Sequence, residues 1–566
     1  MLADYTQEIV QGFRKNEIIV FCGAGISFNS GIPVVREIKS KILDKLGLLE
    51  DEKKNISEYP QPFEAFMETL IERTDPRPLL QIFEQGEPNS THRFLANLAK
   101  SRLLNIIVTT NVDALIEKAM DQAGVDYDLI YEEKRFKSIK WNDERVKIIK
   151  LHGSIHDKAN IAVTIKQVAE KESLYSRKKV IDAIMSHPKY KSIWVIGYSC
   201  SDIFDINPCV AGQGDKTKTI FFLEHSQDSD GQSELRNISS KSDPNPFKEY
   251  KGIIATYDTD SVIHALWETL LSSSYLKPTN KNVSWEIFIN TWLDTAVKDN
   301  GNAILNYMIG ALFKYSADFQ NANKYLFKAV EMDNAEDRQE LTIYVYQFIG
   351  DIYRDTGKYE DAIESFGKAE YLAEKLKISE AQCNAINSIG IVYEDQKKHD
   401  EAIQQHRLAL EIAQDIGLQR LEGKILGNIG IVLKNKGGKT NLKEAIGYQN
   451  RSLKIARNVG DKRSEGRTLG NLAIAYSDLG QKQNAIEYYE KAYKIAIELA
   501  DTYHQAVWMA NMGMDYIGID NDAANRFLNH AIAKFQKIGS HHYVEYCKTK
   551  LHDLKKAQPA NPANGE

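Results

Sequence analysis

Cysteine is sparse in this sequence and nowhere paired. Cys22, Cys200, Cys209, Cys383 and Cys547 are scattered through 566 residues with no C-x-x-C. That pattern fits a reducing compartment and excludes a four-cysteine zinc site within the chain. Long apolar runs are missing as well; without a stretch of about 18 apolar residues, no membrane-spanning helix is predicted. The opening "MLADYTQEIV" turns polar at its third residue and predicts no secretory leader. There is no excess of positive charge either. The formal net charge is −6, which argues against a general nucleic-acid binder. A cytoplasmic protein that touches neither membrane nor nucleic acid is therefore expected. What is present suits a globular chain: 43% hydrophobic and 27% charged residues provide for a large core, and the length predicts about two to four domains.

Two grammars divide the chain. Up to residue 272, short apolar runs alternate with helical stretches, and strands are predicted at Ile18–Phe21, Ile106–Val108, Val146–Leu151, Ile193–Ile196, Ile220–Leu223 and Ile253–Ala255. Continuous apolar runs suit strands covered on both faces, so the expected fold is an α/β Rossmann-like parallel sheet. Residues 210–218 and 225–248 read as surface loops, and "DTDSVIHALWETLL" as a closing helix. Residues 273–300 are expected to form a helical linker, and a repeat occupies 301–552. Gly310, Gly350, Gly390 and Gly430 stand 40 residues apart; Ala322, Ala362 and Ala402 follow 12 later, and Ala329, Ala369 and Ala409 a further 7. "GGKTN" after Lys436 shifts the register to Ala445 and Ser452, and two more units carry Ala473, Ala485, Ala492 and Gly513, Ala524, Ala531. This spacing, with Tyr353, Tyr393, Tyr476 and Tyr516, resembles the tetratricopeptide repeat. It predicts an all-α solenoid of about six units with extended helices. Tyr344 and Tyr346 are expected to be exposed and available to a partner. The tail 553–566 reads as disordered.

Polar motifs sit where the predicted strands end. "GAGIS" follows the first, "TTNVD" (109–113) the second, "LHGS" (151–154) the third and "GYSCSD" (197–202) the fourth. Open α/β sheets bind ligands outside the carboxyl ends of their strands, so four such motifs converge on one crevice. Glycine-rich backbone after a strand also commonly approaches a phosphate. Gly23 and Gly25 are expected to bring main-chain amides to a pyrophosphate. Tyr198, Ser199 and Ser201, after Gly197, are candidates for phosphate or ribose contact, although turn residues look the same. Asp202 reads equally as a helix cap, and Glu224, at the end of the fifth strand, as an acceptor for ribose hydroxyls. His92 is expected to pack or cap, and His156 to lie on the surface.

"GAGIS..SGIP..R", "T.N.D" and "LHG" resemble the sirtuin catalytic domain over about residues 10–272, with "PNSTHRFLANL" (88–98) matching the helix before the second strand. The resemblance implies that NAD is bound and its nicotinamide–ribose bond broken. It assigns NAD contacts to Gly23, Ala24, Gly25, Ser27, Ile32, Pro33, Arg36 and Thr109. Asn111, Asp113 and His152 become the catalytic set. Asn111 offers donor and acceptor to ribose or water, Asp113 holds the nicotinamide carboxamide by resemblance, and His152, with an ordinary pKa of about 6.5, serves as base.

The sequence also departs from the family. No cysteine follows "LHG", so the zinc ribbon of protein-deacylating members is absent and no metal is expected. Val34 and Val35 replace the family's Asp-Phe, and Thr110 its glutamine. These changes resemble divergent bacterial members that hydrolyse NAD to ADP-ribose in antiphage defence. That likeness implies repeats that bind a phage protein or an accessory protein as trigger, and control through changing contacts between catalytic domains predicts a homo-oligomer. An NAD-dependent deacylase and a non-catalytic NAD or ADP-ribose sensor are the alternatives.

Overall fold

The computed structural model describes residues 2–58, 63–161, 164, 171–200, 202, 206–214, 216–225, 234–242, 245–275, 284–335, 339–499, 501–538 and 540–557. Ser201 and the tail beyond 557 lie outside the described residues. The chain forms two compact units, Met1–Tyr325 and Leu326–Glu566.

The first unit is built on an eight-stranded sheet. Its strands are β1 (Ile18–Cys22), β2 (Ile106–Thr109), β3 (Tyr127–Ile130), β4 (Val146–Lys150), β5 (Ser192–Ile196), β6 (Thr219–His225), β7 (Glu234–Asn237) and β8 (Lys251–Tyr257). Their order is β3-β4-β2-β1-β5-β6-β8-β7. All pairs are parallel except β7 with β8. β1 is central and buried throughout. Ile18, Val20 and Cys22 point into one apolar layer with Trp194 and Phe94, whereas Ile19 and Phe21 point into the other with Val195 and Phe222. Burial on both faces is why these strands read as unbroken apolar runs. The chain winds outward from β1 in both directions, so the strand order reverses between β1 and β5. That reversal is the topological switch point of an open parallel sheet.

Two strands, β3 and β7, are not among those that the sequence predicts. β3 is a half-buried edge strand with the mixed sequence YDLI. β7 lies within the segment expected to be a surface loop; the same segment buries Ile238 and Phe247. The expected closing helix is Thr259–Leu270, capped by Asp258, whose side chain accepts from Ser261 N.

Beside the sheet, the helices Val35–Lys45, Phe63–Ile71 and Arg77–Leu80 pack against Glu286–Asn300 and Ala303–Tyr315. Trp292 Nε1 donates to Thr74 Oγ1 at 3.1 Å and Asn300 Nδ2 to the carbonyl of Arg73 at 3.2 Å. The end of the helix Phe63–Ile71 is thus tied to the helices leading into the repeats.

The second unit is a run of helix hairpins, including Glu340–Asp355 with Tyr359–Lys375 and Ser379–Asp395 with His399–Asp415. Most of its helices are 17 residues long, the extension that the 40-residue period predicts. The spaced glycines admit a neighbouring side chain. A Cβ on Gly350 would lie 2.7 Å from the Phe366 ring, and one on Gly390 2.7 Å from the His406 ring. Where the register shifts, Gly470 admits Trp508, and a Cβ there would lie only 2.2 Å from its ring. Gly470→Ala is therefore expected to lose about 1–3 kcal/mol by overpacking. Gly367→Ala, whose Cβ would meet no described residue within 4 Å beyond its own helix backbone, should gain up to about 1 kcal/mol from helix propensity. Denaturant melts of the two variants check the contrast. Tyr344 and Tyr346, expected to be exposed, are instead half-buried against the cluster of Ile343 and Ala369; Tyr371, 65% exposed, is the open aromatic of that hairpin. Gly437 and Gly438 both take positive φ and form the tight link into Lys439–Asn458, the helix that absorbs the insertion.

Candidate active site

A cavity of about 720 Å³ opens at the switch point, well within the size range of small-molecule sites. The ends of β1, β2, β4, β5 and β6 all contribute to its wall. Ala24, Gly25, Ser27, Ile32, Pro33 and Arg36 come from the segment after β1, Asn111 and Asp113 from that after β2, and His152 from that after β4. Gly197, Tyr198 and Ser199 follow β5, and Glu224 ends β6. The structure thus gathers almost every residue that the motifs single out, from parts of the chain up to 200 residues apart.

Gly23 and Thr109 are off the cavity wall. Gly23 N donates to the carbonyl of Ile196 at 3.1 Å and Gly25 N to that of Gly197 at 2.8 Å. Both amides are thereby committed to the end of β5, not to a phosphate as expected. The missing side chains serve close approach: a Cβ on Gly23 would lie 2.6 Å from Gly197 O, and one on Gly25 2.8 Å from Gly197 Cα. Thr109 is fully buried, and its Oγ1 accepts from Asn111 N at 3.0 Å. It sets the backbone of the residue that does face the cavity. The "PNSTHRFLANL" helix acts similarly. Asn89 Nδ2 donates to the carbonyls of Ile26 and Phe28, each at 2.8 Å, and holds the turn after β1 in place. His92 is buried in that helix and pairs with Asn89 through Nδ1, a capping role; burial pushes its pKa down to about 4.

At the centre is a hydrogen-bonded trio. Ser27 Oγ donates to Asp113 Oδ2 at 2.8 Å; Asn111 Nδ2 lies 3.2 Å from Ser27 Oγ and 3.3 Å from Asp113 Oδ2. Asp113 Oδ1 accepts from Leu115 N at 3.0 Å, which also starts the helix Leu115–Ala123. The Asn111 amide nitrogen is thus held by these two groups, while its Oδ1 has no hydrogen-bond partner among the described residues. Asn111 is 6% exposed, and a buried acceptor left unsatisfied costs about 1–3 kcal/mol. Asn111 lines the cavity, so a small turn of its side chain would bring this acceptor to a donor from outside the chain. His152 is 5% exposed, and Gly153 behind it takes φ 89°, turning the chain at the end of β4.

Lys150, two residues earlier, escaped the sequence reading. Its ammonium is fully buried, 2.5 Å from Glu117 Oε1, and donates to the carbonyl of Asp113. It ties the loop after β2 to β4, so Asn111 and His152 share one rigid frame. Also unforeseen in the wall are Phe63 and Glu64, which begin the helix Phe63–Ile71, together with Phe83 and Lys241. No motif marks them. Glu224 faces the cavity, but as a neutralised carboxylate: Arg236 Nη2 is 2.9 Å and Lys241 Nζ 2.5 Å from its oxygens.

Comparison with known proteins finds two kinds of match. Residues 23–128 match the Sir2 family and 105–238 the SIR2-like domain; 343–376, 383–416 and 425–498 match tetratricopeptide repeats. Over 197 residues the chain is 25% identical to the NAD(+) hydrolase ThsA of Cytobacillus dafuensis, covering 35% of this chain and 38% of that protein. It is 24% identical over 201 residues to the NAD(+) hydrolase ThsA of Bacillus cereus (strain MSX-D12), covering 36% and 40%. An NAD-dependent protein deacylase of Thermococcus sibiricus (strain DSM 12597 / MM 739) is 35% identical over 116 residues, covering 19% and 39%. The chain spans about two fifths of the length of each of these relatives.

Proposed function

We infer that this chain, a Sir2-type domain joined to tetratricopeptide repeats, hydrolyses NAD at the nicotinamide–ribose bond to give nicotinamide, ADP-ribose and a proton. The observation that carries the reading is that Asn111, whose Oδ1 has no hydrogen-bond partner among the described residues, lines the same cavity as His152. Nicotinamide departs as a neutral base, so the site needs no strong acid. It needs a group to orient the ribose and the attacking water, and a base to take the water's proton. Asn111 supplies the acceptor that orients them, and His152 takes the proton. Asp113, with both oxygens engaged, holds the Asn111 amide nitrogen and so fixes the side chain in the cavity wall.

Water is favoured as acceptor over an acylated lysine because the zinc-ribbon cysteines are missing from the segment after His152. The deacylase reading draws on the relatives of that name and predicts nicotinamide release only with an acylated peptide. Incubation of the full chain with NAD, with and without such a peptide, separates the two. Equal nicotinamide and ADP-ribose in both is the expected result; peptide-dependent release, or an O-acyl product, contradicts it.

The repeats are assigned the control of this activity, since an unregulated hydrolase of an abundant cofactor would poison its own cell. Repeat arrays of this kind bind protein segments. We assign them a phage protein or an accessory protein as trigger, acting on an assembly of several copies in antiphage defence. Support for a route to the site comes from Trp292 and Asn300, which grip residues 73–74 at the end of the helix that begins at Phe63 and Glu64 in the cavity wall. Nicotinamide release from the full chain should rise when the trigger is added and stay at its basal rate with unrelated protein.

A further inference from the structure

We propose that Glu64 and Asp202 are positioning residues for His152: two carboxylates, brought from separate elements, that orient its imidazole and hold the charge it gains with a proton. The proposal rests on the hydrolase reading for its chemistry, but its geometry stands apart from it. One donor atom from each of Glu64, His152 and Asp202 lies within 4.8 Å of the other two. All three line the cavity. Glu64 is in the first turn of the helix Phe63–Ile71, and Asp202 lies six residues beyond the end of β5.

The physical need is plain. Burial penalises the imidazolium, so a histidine this enclosed would be a weak base without a compensating charge nearby. A carboxylate beside the ring restores its basicity and fixes which nitrogen faces the reactants, as the aspartate does for the histidine of a serine-protease triad. Here two carboxylates approach the ring, and neither belongs to the motifs that mark Asn111 and His152. The seat of Glu64 is firm. Ala65, Phe66, Met67, Thr69 and Leu70 of its helix are buried, and Thr69 Oγ1 donates to the carbonyl of Ala65. The other charged groups on the cavity wall are Asp113 from the segment after β2, Arg36 from the helix Val35–Lys45, and Glu224, His225 and Lys241 from β6 and the residues after β7. Asp113 is bound to Ser27 and Leu115 and Glu224 to its two cations, which leaves Glu64 and Asp202, among the described residues, as the carboxylates grouped with the imidazole.

The test uses the full chain carrying Glu64→Gln, Asp202→Asn, both together, or Glu64→Asp, with EDTA present throughout. Two readouts are taken: kcat and KM for nicotinamide release across pH, and the NMR titration of His152 in 13C-histidine-labelled protein, assigned by its loss in His152→Ala. Each neutral variant is expected to lower kcat by roughly 10- to 100-fold, the scale found for outer partners that orient an imidazole. KM should move little, and Glu64→Asp should recover part of the loss. Because a carboxylate raises the histidine's pKa, its removal should carry both the titration and the acid limb of kcat to lower pH. Unchanged kcat and an unchanged His152 titration in the double variant would overturn the proposal. If the wild-type chain releases no nicotinamide while the titration still falls in the variants, the positioning claim survives and the hydrolase reading does not.

Discussion

His152→Ala and Asn111→Ala, each made in the full chain, are expected to cut nicotinamide release from NAD by about 10²- to 10⁴-fold, the usual contribution of a positioned base or its partner. The two should fail differently. His152→Ala removes the proton acceptor but leaves the Ser27–Asn111–Asp113 trio intact, so NAD binding should persist while kcat falls. Asn111→Ala removes the cavity's orphaned acceptor and should weaken binding as well. Rate measurements beside calorimetric titration of NAD separate these effects. Variants that retain wild-type rates would show that the chemistry lies elsewhere.

The second large effect is on stability. Lys150→Ala should destabilise the chain by about 3–5 kcal/mol, because removing one member of a buried ion pair strands the other. Glu117, with a side chain 4% exposed, would then lose the cation at 2.5 Å. Burial already pushes the Glu117 carboxyl above the ordinary range against the pull of Lys150. Without the lysine it rises further. A folded-state pKa above the unfolded one means that the native state binds the extra proton, so stability falls as pH rises through that window. The deficit of Lys150→Ala should accordingly shrink as pH is lowered into the carboxylate range. The double variant Lys150→Met, Glu117→Leu should recover most of the loss, since apolar replacement of a buried pair is often neutral or better. Chemical denaturation across pH reads both outcomes; a deficit under about 1 kcal/mol would mean that the pair bears little of the frame.

The contrast between what the sequence reveals and what it conceals has a physical basis. The central strands are legible because burial on both faces demands unbroken apolar runs, as in Ile18–Cys22. β3 and β7 are edge strands, partly open to solvent, and their sequences YDLI and ELRN carry no such run. Asn111 and His152 are legible because motifs that follow strands of a parallel sheet must meet at one edge. Gly23 and Gly25 are legible as glycines that a close approach requires, but what approaches them is not. Glycine after a strand permits either close approach to a phosphate or close approach to a neighbouring loop, and only the folded chain brings Gly197 into the space. Lys150 looks like an ordinary polar residue in "VKIIK", because nothing local reveals a partner 33 residues away. Glu64 is concealed for the same reason: it reaches the cavity from a helix inserted between β1 and β2, and long-range placement leaves no periodic trace.

The central claim is that the ends of β1, β2, β4 and β5 form one pocket in which Asn111 and His152 act on the same dinucleotide. A crystal structure of the full-length His152→Ala chain with NAD tests it most directly. The account predicts the nicotinamide ribose against Asn111, with Oδ1 now accepting a hydrogen bond and position 152 at the same face of the sugar. NAD bound away from the switch point, or seated there with Asn111 Oδ1 still unpartnered, would contradict it.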